Sequence, residues 1–206
     1  MEPKWLEWAK SLQAEAQNGL TFTTNEFERE RYNHILEIAA EMMAKNSDAD
    51  YEYIKGLFDD VEGYMTPRVD VRGVVFKGDR VLLVKEKSDG GWTLPGGWAD
   101  PNETPSQSVE REVFEESGFE VKARKVLAVL DRAKQGHTPP FPYHIYKLFF
   151  LCELKGGKKA TSIETDAVDF FAENNIPHLS ASRTTDSQMK RFFEHHRNPN
   201  LPTDFD

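Results

Sequence analysis

The stretch GWADPNETPSQSVEREVFEESGF, residues 97–119, ends on a segment with an unusual concentration of negative charge. Glu112, Glu115 and Glu116 stand at i, i+3 and i+4, so on a helix their carboxylates share one face. The C-terminus of a helix already carries partial negative charge, and each carboxylate placed there costs roughly 0.3–1 kcal/mol. The sequence therefore keeps a cluster that is unfavourable unless something compensates its charge.

The residues at its two ends specify this helix well. Thr104 is typical of an N-cap, Pro105 suits the first helical position, and Gln107 stands three residues after the cap. Gly118 is the expected C-cap, which places the helix at 105–117. Three apolar residues on the helix are expected to pack on a sheet: Val109, Val113 and Phe114.

The crowded carboxylates allow two interpretations. Acids within reach of one another raise each other's pKa or recruit a cation. Hard divalent ions such as Mg²⁺ take oxygen ligands, usually one or two carboxylates together with water and substrate phosphates. The alternative is a solvated acidic face, which is common on glutamate-rich helices. The carboxylates alone leave both interpretations open.

The surrounding pattern favours the first interpretation. Gly97 is followed after five residues by Glu103, after seven more by Arg111 and Glu112, and then by Val113, the remaining acids, Gly118 and Phe119. This resembles the Nudix box, G-x5-E-x7-R-E-U-x-E-E-x-G-U with U a bulky apolar residue, and every position is filled. The preceding WTLPGG, residues 92–97, also resembles the approach to the box. The resemblance implies a Nudix hydrolase, which uses divalent metals and water to cleave a nucleoside diphosphate linked to a group X.

The resemblance also implies roles for individual residues. Arg111 and Glu103 would pair with the other box carboxylates and fix the geometry of the loop and helix. A later loop would supply one more acid, for which Glu164 is favoured and Asp166 is the alternative. Mg²⁺ would be the metal, with Mn²⁺ as a substitute. The implied ligands are the Gly96 carbonyl and the side chains of Glu112, Glu115, Glu116 and Glu164.

Substrate contacts are expected outside the box. Lys85 and Lys87 precede the turn SDGG and could reach substrate phosphates, although hairpin lysines are usually solvated. Arg72 could line a pocket or simply pair with Asp70, which lies on the same face of the first strand. The loop 132–144 is long and rich in proline, and loops of this kind are often binding elements. Its candidates for stacking on a base are Phe141 and Tyr143, with a plain surface loop as the alternative.

The rest of the chain predicts a mixed α+β domain behind a helical segment. The first 60 or so residues have helical periodicity, with a possible capping box of Thr23 and Glu26 before the second helix. We therefore expect a helical domain at 1–64, for dimerisation or pocket cover, and the hydrolase domain at 65–206. The resemblance implies an α/β/α sandwich with a mixed sheet. Strands are predicted within 69–76, 80–87, 120–131, 143–154 and 167–171, and a last helix at 184–197.

Composition limits the classes of protein that remain. The formal net charge of −9 argues against a sequence-independent grip on nucleic acid. No apolar run approaches the roughly 18–20 residues of a membrane span, and the N-terminus lacks a signal-peptide pattern. The single cysteine, Cys152, cannot form an internal disulfide. We therefore expect a cytoplasmic protein without a membrane partner.

The flanks resemble a bacterial subgroup known as ADP-ribose or CDP-choline pyrophosphatases, whose members are homodimers. The resemblance implies cleavage of ADP-ribose or CDP-choline to a nucleoside monophosphate and a phosphorylated remainder. One alternative is RNA 3′-end exonuclease activity, against which the net charge weighs. Another is a non-catalytic nucleotide-sensing module, which a complete box disfavours. The base, the X group, the phosphorus attacked, the number of metals and the general base stay open.

Overall fold

The computed structural model describes residues 2–59 and 63–206. It consists of two compact units. One is the N-terminal segment up to Pro67 together with Pro140–His144, and the other comprises Arg68–Pro139 and Ile145–Asp206. In the part of the chain that is described, no helix is both long enough and apolar enough to cross a bilayer.

The first unit is helical, as its periodicity predicts. Its helices are α1 (Lys4–Phe22), α2 (Glu26–Lys45) and α3 (Tyr51–Asp59). They bury a small apolar core of their own, which stabilises helices that would be marginal in isolation. The fully buried residues of this core are Leu6, Ala9, Ala39, Ala40, Met43, Ile54 and Phe58.

The predicted capping box at the start of α2 is wrong. Asn25 is the N-cap, and its side-chain oxygen accepts hydrogen bonds from the backbone N–H groups of Phe27 and Glu28 at 2.9 and 3.3 Å. Thr23 instead bonds the Glu28 carboxylate at 2.5 Å. Asparagine is at least as good an N-cap as threonine, and its position next to the first helical residue decides which of the two caps the helix.

The second unit is built around an eight-stranded sheet. Its long strands are β1 (Arg68–Lys77), β2 (Arg80–Glu86), β5 (Phe119–Asp131), β6 (Ile145–Gly157) and β7 (Thr165–Ala172). Three short strands were not predicted from the sequence: β3 (Trp92–Thr93), β4 (Gly96–Trp98) and β8 (Asp204–Phe205). The helices are α4 (Pro105–Ser117), with the bounds that the sequence predicts, and α5 (Asp186–Arg197).

The sheet is mixed, and β1 organises it. The strand order is β3-β2-β1-β6-β5-β8, while β4 pairs with β1 and β7 pairs with β2. β1 runs parallel to β6 and antiparallel to β2 and β4. Its first half pairs with β4, and its last residues pair with β2. This arrangement brings the strand before the acidic helix against the middle of the sheet.

The two helices cover opposite faces of the sheet, which confirms the α+β fold class. On one face, Val109 and Val113 of α4 lie in a cluster with Val71 and Val75 of β1. On the other face, the α5 residues Met189, Phe192 and Phe193 lie in a cluster with Val74 and Phe149. Alternate residues of β1 therefore enter different cores, as the period of a strand requires.

The contact between α4 and β1 is close. A Cβ atom at Gly73 of β1 would lie 2.4 Å from a methyl carbon of Val113, so only glycine lets the helix approach this far. Phe114 does not join the contact and is 52% exposed, against the prediction that it packs on the sheet. One residue along a helix is a rotation of about 100°, which turns Phe114 away from the stripe of Val109 and Val113.

Neighbouring substitutions on α4 should therefore have different costs. We expect Val113→Ala to lower the free energy of unfolding by about 2 kcal/mol, because it leaves a gap in a close-packed core. Phe114→Ala, although it removes a larger side chain, should change it by no more than about 0.5 kcal/mol. Urea unfolding of both variants measures this, and an equal loss would contradict the described packing.

Candidate active site

Local capping chemistry holds the acidic helix in place. Thr104 and Gln107 form the predicted capping box, in which each side chain bonds the other residue's backbone N–H. At the other end Gly118 adopts the left-handed conformation, with φ of 74°, as a C-cap glycine does. Lys158 donates its backbone N–H to the Gly118 carbonyl, which ties the helix end to the segment that follows β6.

Arg111 gathers the more exposed carboxylates of the box. Its guanidinium donates to both oxygens of Glu103 and to Glu112 at 2.8 Å and Glu115 at 3.1 Å. An ion pair with Asp100 at 3.2 Å completes its surroundings. Hydrogen bonds from Arg111 lower the pKa of Glu103, so this carboxylate stays ionised and holds the arginine to the loop before α4. Arg111 thus bonds Glu112 and Glu115, and Glu103 bonds Arg111 itself, while the role of this pair beside a metal site stays a prediction.

Glu116 has a different environment. It is only 6% exposed, and Gly96 donates its backbone N–H to Glu116 Oε2 at 2.8 Å. Burial raises the pKa of Glu116 to about 8, with smaller contributions from Glu86 and Glu112, while Arg72 opposes the rise. Burial likewise raises the pKa of Glu112. The sequence led us to expect mutual repulsion as the cause, but loss of solvent is the larger effect.

Two glycines bring the loop before the helix close to these acids. Gly96 has φ of 144°, and a Cβ atom there would lie 2.0 Å from the Val71 carbonyl oxygen, so no side chain fits. A Cβ atom at Gly97 would lie 2.8 Å from a carboxylate oxygen of Glu112. The glycine pair therefore leaves a space at the Glu112 carboxylate that any other residue would fill.

The loop with Glu164 is anchored to the end of α4. Thr165 is buried and donates its hydroxyl to the Glu116 backbone carbonyl at 3.0 Å. The ammonium group of Lys87 donates hydrogen bonds to the backbone carbonyls of Ser162 and Ile163, both at 2.9 Å. In this structure Lys87 thus holds the loop that presents Glu164, whose side chain is exposed. A contact of Lys87 with substrate phosphate stays a prediction.

Sequence reasoning missed Glu86, the last residue of β2. It is buried, burial raises its pKa, and Arg183 pairs with it at 3.0 Å. Its charge acts on Glu116, so it belongs to the same acidic region. The spacing was the available signal, because Glu86 stands two residues after Val84 and alternate residues of a strand share a face.

The other predicted substrate residues lie in varied surroundings. Arg72 is buried and hydrogen-bonds Asp70, so the charge pair considered as an alternative is present. Lys85 is half-buried on β2, opposite Trp92 and Ala167. Phe141 and Tyr143 pack edge to face with ring centroids 5.6 Å apart. Substrate binding by Arg72, Lys85, Phe141 and Tyr143 remains a prediction.

The donor set suits a hard divalent cation. Glu112, Glu115 and Glu116 provide carboxylate oxygens, and the absence of a side chain at Gly97 leaves room for the Glu112 carboxylate beside the loop. In the described arrangement, across residues 2–59 and 63–206, no three acidic, histidine or cysteine side chains are gathered tightly enough to hold a metal. Glu112 and Glu115 bond Arg111 in this arrangement, while Glu116 bonds the Gly96 amide.

Comparison with protein families accounts for most of the chain. The sequence model of the NUDIX domain matches residues 66–195. A second model, described as a UDP-X-like, N-terminal oligomerisation domain, matches residues 3–58. The two matched segments fall in the sheet-containing and helical parts of the chain, respectively.

Individual proteins are similar along much or all of the chain. A Bacillus subtilis (strain 168) protein, YjhB, which its name assigns provisionally as an ADP-ribose pyrophosphatase, is 44% identical over 100% of this chain and 99% of its own. The crystal structure of an ADP-ribose pyrophosphatase from Streptococcus suis is 38% identical, covers 68% of this chain and 100% of its own, and has a TM-score of 0.63. The crystal structure of a UDP-X diphosphatase covers 100% of both chains at 28% identity, with a TM-score of 0.64.

A methyl group at Gly97 tests the arrangement around Glu112. We expect Gly97→Ala to displace the Glu112 carboxylate, because the new Cβ would stand 2.8 Å from its oxygen, and to weaken Mn²⁺ binding about tenfold. Isothermal titration calorimetry measures the affinity. The matched control is Gly56→Ala in α3, where a Cβ meets nothing within 4 Å. Equal Mn²⁺ affinity in the two variants would contradict the role given to this space.

Proposed function

Because the chain belongs to the Nudix hydrolase family, we propose that it hydrolyses the pyrophosphate bond of a nucleoside diphosphate linked to a group X. The observation that carries this proposal is the complete box, folded so that Arg111 and the Gly96 amide hold its carboxylates around one end of α4. Water would add to one phosphorus, the bridging P–O bond would break, and a nucleoside monophosphate and phosphorylated X would leave.

Nudix hydrolases use divalent metal ions, and we propose Mg²⁺ here, with Mn²⁺ as a substitute. Glu112, Glu115, Glu116 and Glu164 would hold the metal together with the Gly96 carbonyl. When bound, such an ion neutralises the diphosphate and lowers the pKa of attacking water.

The chain's own residues would orient these groups. Arg111, held by Glu103, positions Glu112 and Glu115. Thr165 ties the Glu164 loop to the backbone of Glu116. The exposed carboxylates of Glu115 and Glu164 are available to accept the proton of the attacking water. Burial keeps the rest of the acidic region away from bulk solvent, which strengthens its electrostatic interactions.

We propose ADP-ribose as the first substrate to test. The support is the names of two relatives, the Bacillus subtilis protein and the Streptococcus suis structure. CDP-choline rests on the resemblance in the flanking sequence alone. UDP-linked compounds enter the comparison because the UDP-X diphosphatase structure matches along the whole chain. The proposal therefore covers three candidate substrate classes: ADP-ribose, CDP-choline and UDP-linked compounds.

A substrate panel with a matched pair of glutamate variants tests the proposal. We expect the wild-type protein with Mg²⁺ to cleave at least one of ADP-ribose, CDP-choline and UDP-sugars. Glu112→Gln should lower kcat about 100-fold, because it removes a charge from the proposed metal site. Glu110→Gln lies on the same helix, but Glu110 bonds Lys122 and the Ala123 amide, so this control should keep its activity.

Product analysis in ¹⁸O-labelled water would show which phosphorus is attacked. Absence of turnover on the whole panel, or equal loss in the two variants, would contradict the proposal. A 5′-labelled RNA in the same panel tests the alternative of 3′-end exonuclease activity. Shortening of this RNA without any cleavage of the nucleotides would replace the proposed reaction.

We also propose a homodimer formed through the helical segment. The family model for residues 3–58 is described as an oligomerisation domain, and α1 and α2 leave large apolar side chains exposed. Those side chains are Trp8, Phe22, Phe27 and Ile38. Light scattering of the purified protein should give twice the chain mass of 23.6 kDa, and a single-chain mass would refute the dimer.

The domain division near residue 65 and the cytoplasmic location also remain proposals.

A further inference from the structure

Three ionised side chains are buried together on the parallel strands β1 and β6. Asp70 and Arg72 lie on β1, and Lys147 lies opposite Asp70 on β6. Lys147 donates to Asp70 at 2.7 Å, and Arg72 donates to both Asp70 oxygens at 3.0 and 2.9 Å. Burial alone would raise the pKa of Asp70, but the two cations hold it below its ordinary value. Asp70 and Arg72 therefore stay ionised inside the protein, while burial lowers the pKa of Lys147 to about 8.

Stability alone does not account for such a cluster. Desolvation of buried ions offsets most of their attraction, and well-packed apolar residues of similar size usually replace such ions at no loss of stability. Two residues after Arg72 on β1 and after Lys147 on β6, the positions are already occupied by apolar residues, Val74 and Phe149. A buried ion cluster in this place is thus better explained by what it holds in position.

Arg72 connects this cluster to the loop before the acidic helix. The guanidinium nitrogen that does not bond Asp70 donates to the Leu94 carbonyl at 3.1 Å. The next residue of the loop, Pro95, accepts the Gly73 amide at 2.8 Å, and Gly96 lies opposite Arg72 in the β1–β4 register. Leu94 and Pro95 thus hold the chain to β1 before the glycine that bonds Glu116, and the pairing of Gly97 with Val71 holds it after that glycine.

We propose that Asp70 and Lys147 are positioning residues for the candidate active site, acting through Arg72 on the loop that presents the Gly96 amide to Glu116. Asp70 fixes the plane of the Arg72 guanidinium by bonding two of its nitrogens, which leaves the third directed at the loop. Lys147 fixes the Asp70 carboxylate from the neighbouring strand. The relation to catalysis rests on the proposed function, whereas the effect on the Gly96 amide does not.

The double variant Asp70→Asn, Lys147→Met tests this inference without changing the net charge of the cluster. It removes one negative and one positive charge, but the buried Arg72 keeps only an amide acceptor in place of its carboxylate partner, so the midpoint of thermal unfolding should fall. Hydrogen exchange of the Gly96 amide, measured by NMR in metal-free protein, should become at least about tenfold faster. With the substrate found in the panel, kcat should fall at least about tenfold while KM changes little.

A similar ion pair elsewhere supplies the matched control. Arg191 bonds both oxygens of Asp204 at 2.6 Å, and His195 bonds the same carboxylate, at the pairing of α5 with the C-terminal segment. Asp204→Asn should lower the unfolding midpoint but leave kcat and Gly96 exchange as in wild type. If the double variant does not fold, Arg72→Lys takes its place, because lysine keeps the charge but lacks the planar fork that bonds both Asp70 oxygens and the Leu94 carbonyl.

The outcomes separate the two proposals. A folded double variant with wild-type Gly96 exchange would overturn the inference, and so would an Asp204→Asn variant with the same changes in exchange and kcat. If wild-type protein cleaves no nucleotide, the proposed function fails, and Gly96 exchange alone then decides whether Asp70 and Lys147 position the loop. Faster exchange confined to the double variant supports the inference in either case.

Discussion

The hydrogen bond from the Gly96 amide to Glu116 joins the two parts of the candidate active site, the loop that follows β3 and the acidic helix. A buried carboxylate needs such a donor, because desolvation without a partner is costly. The same glycine lies so close to the Val71 carbonyl that a side chain is excluded. One contact thus fixes strand, loop and helix relative to one another, and the remaining acids are arranged around it.

Cations separate the acids of this region into groups with different properties. Arg111 bonds Glu112 and Glu115, and Arg183 pairs with Glu86. Glu116 has only an amide donor, with Arg72 nearby but not bonded to it, and burial raises its pKa most clearly. The environments of carboxylates on one helix therefore differ, because their access to water and their partners differ. Such differences are common where a site must hold a cation or move a proton.

The chemistry of the family and the choice of substrate depend on different parts of the chain. The box and its supporting contacts concern the diphosphate and the metal, which all substrates of this kind share. Contacts to the base and the X group must come from elsewhere, and relatives of similar architecture carry names for ADP-ribose and for UDP-linked substrates. A complete box therefore identifies the reaction class more firmly than the substrate.

The sequence by itself determined the features that depend on neighbouring residues. The bounds of α4 follow from Thr104, Gln107 and Gly118, because capping is a contact between residues a few positions apart. The five long strands and the last helix were predicted from local runs of residue types, and the pairing of Arg111 with box acids was implied by the resemblance to the Nudix box. Where two caps competed at the start of α2, Asn25 was missed in favour of Thr23.

Only the tertiary structure decided which charged groups are buried and what they contact. The pairing of Lys147 with Asp70 joins residues far apart in the chain, through a parallel strand pair whose register no local pattern specifies. The burial of Glu86 and the exposure of Phe114 likewise depend on which elements cover each face of the sheet. Periodicity assigns a residue to a face, but packing against distant segments sets its access to water, and that access controls the pKa of Glu116.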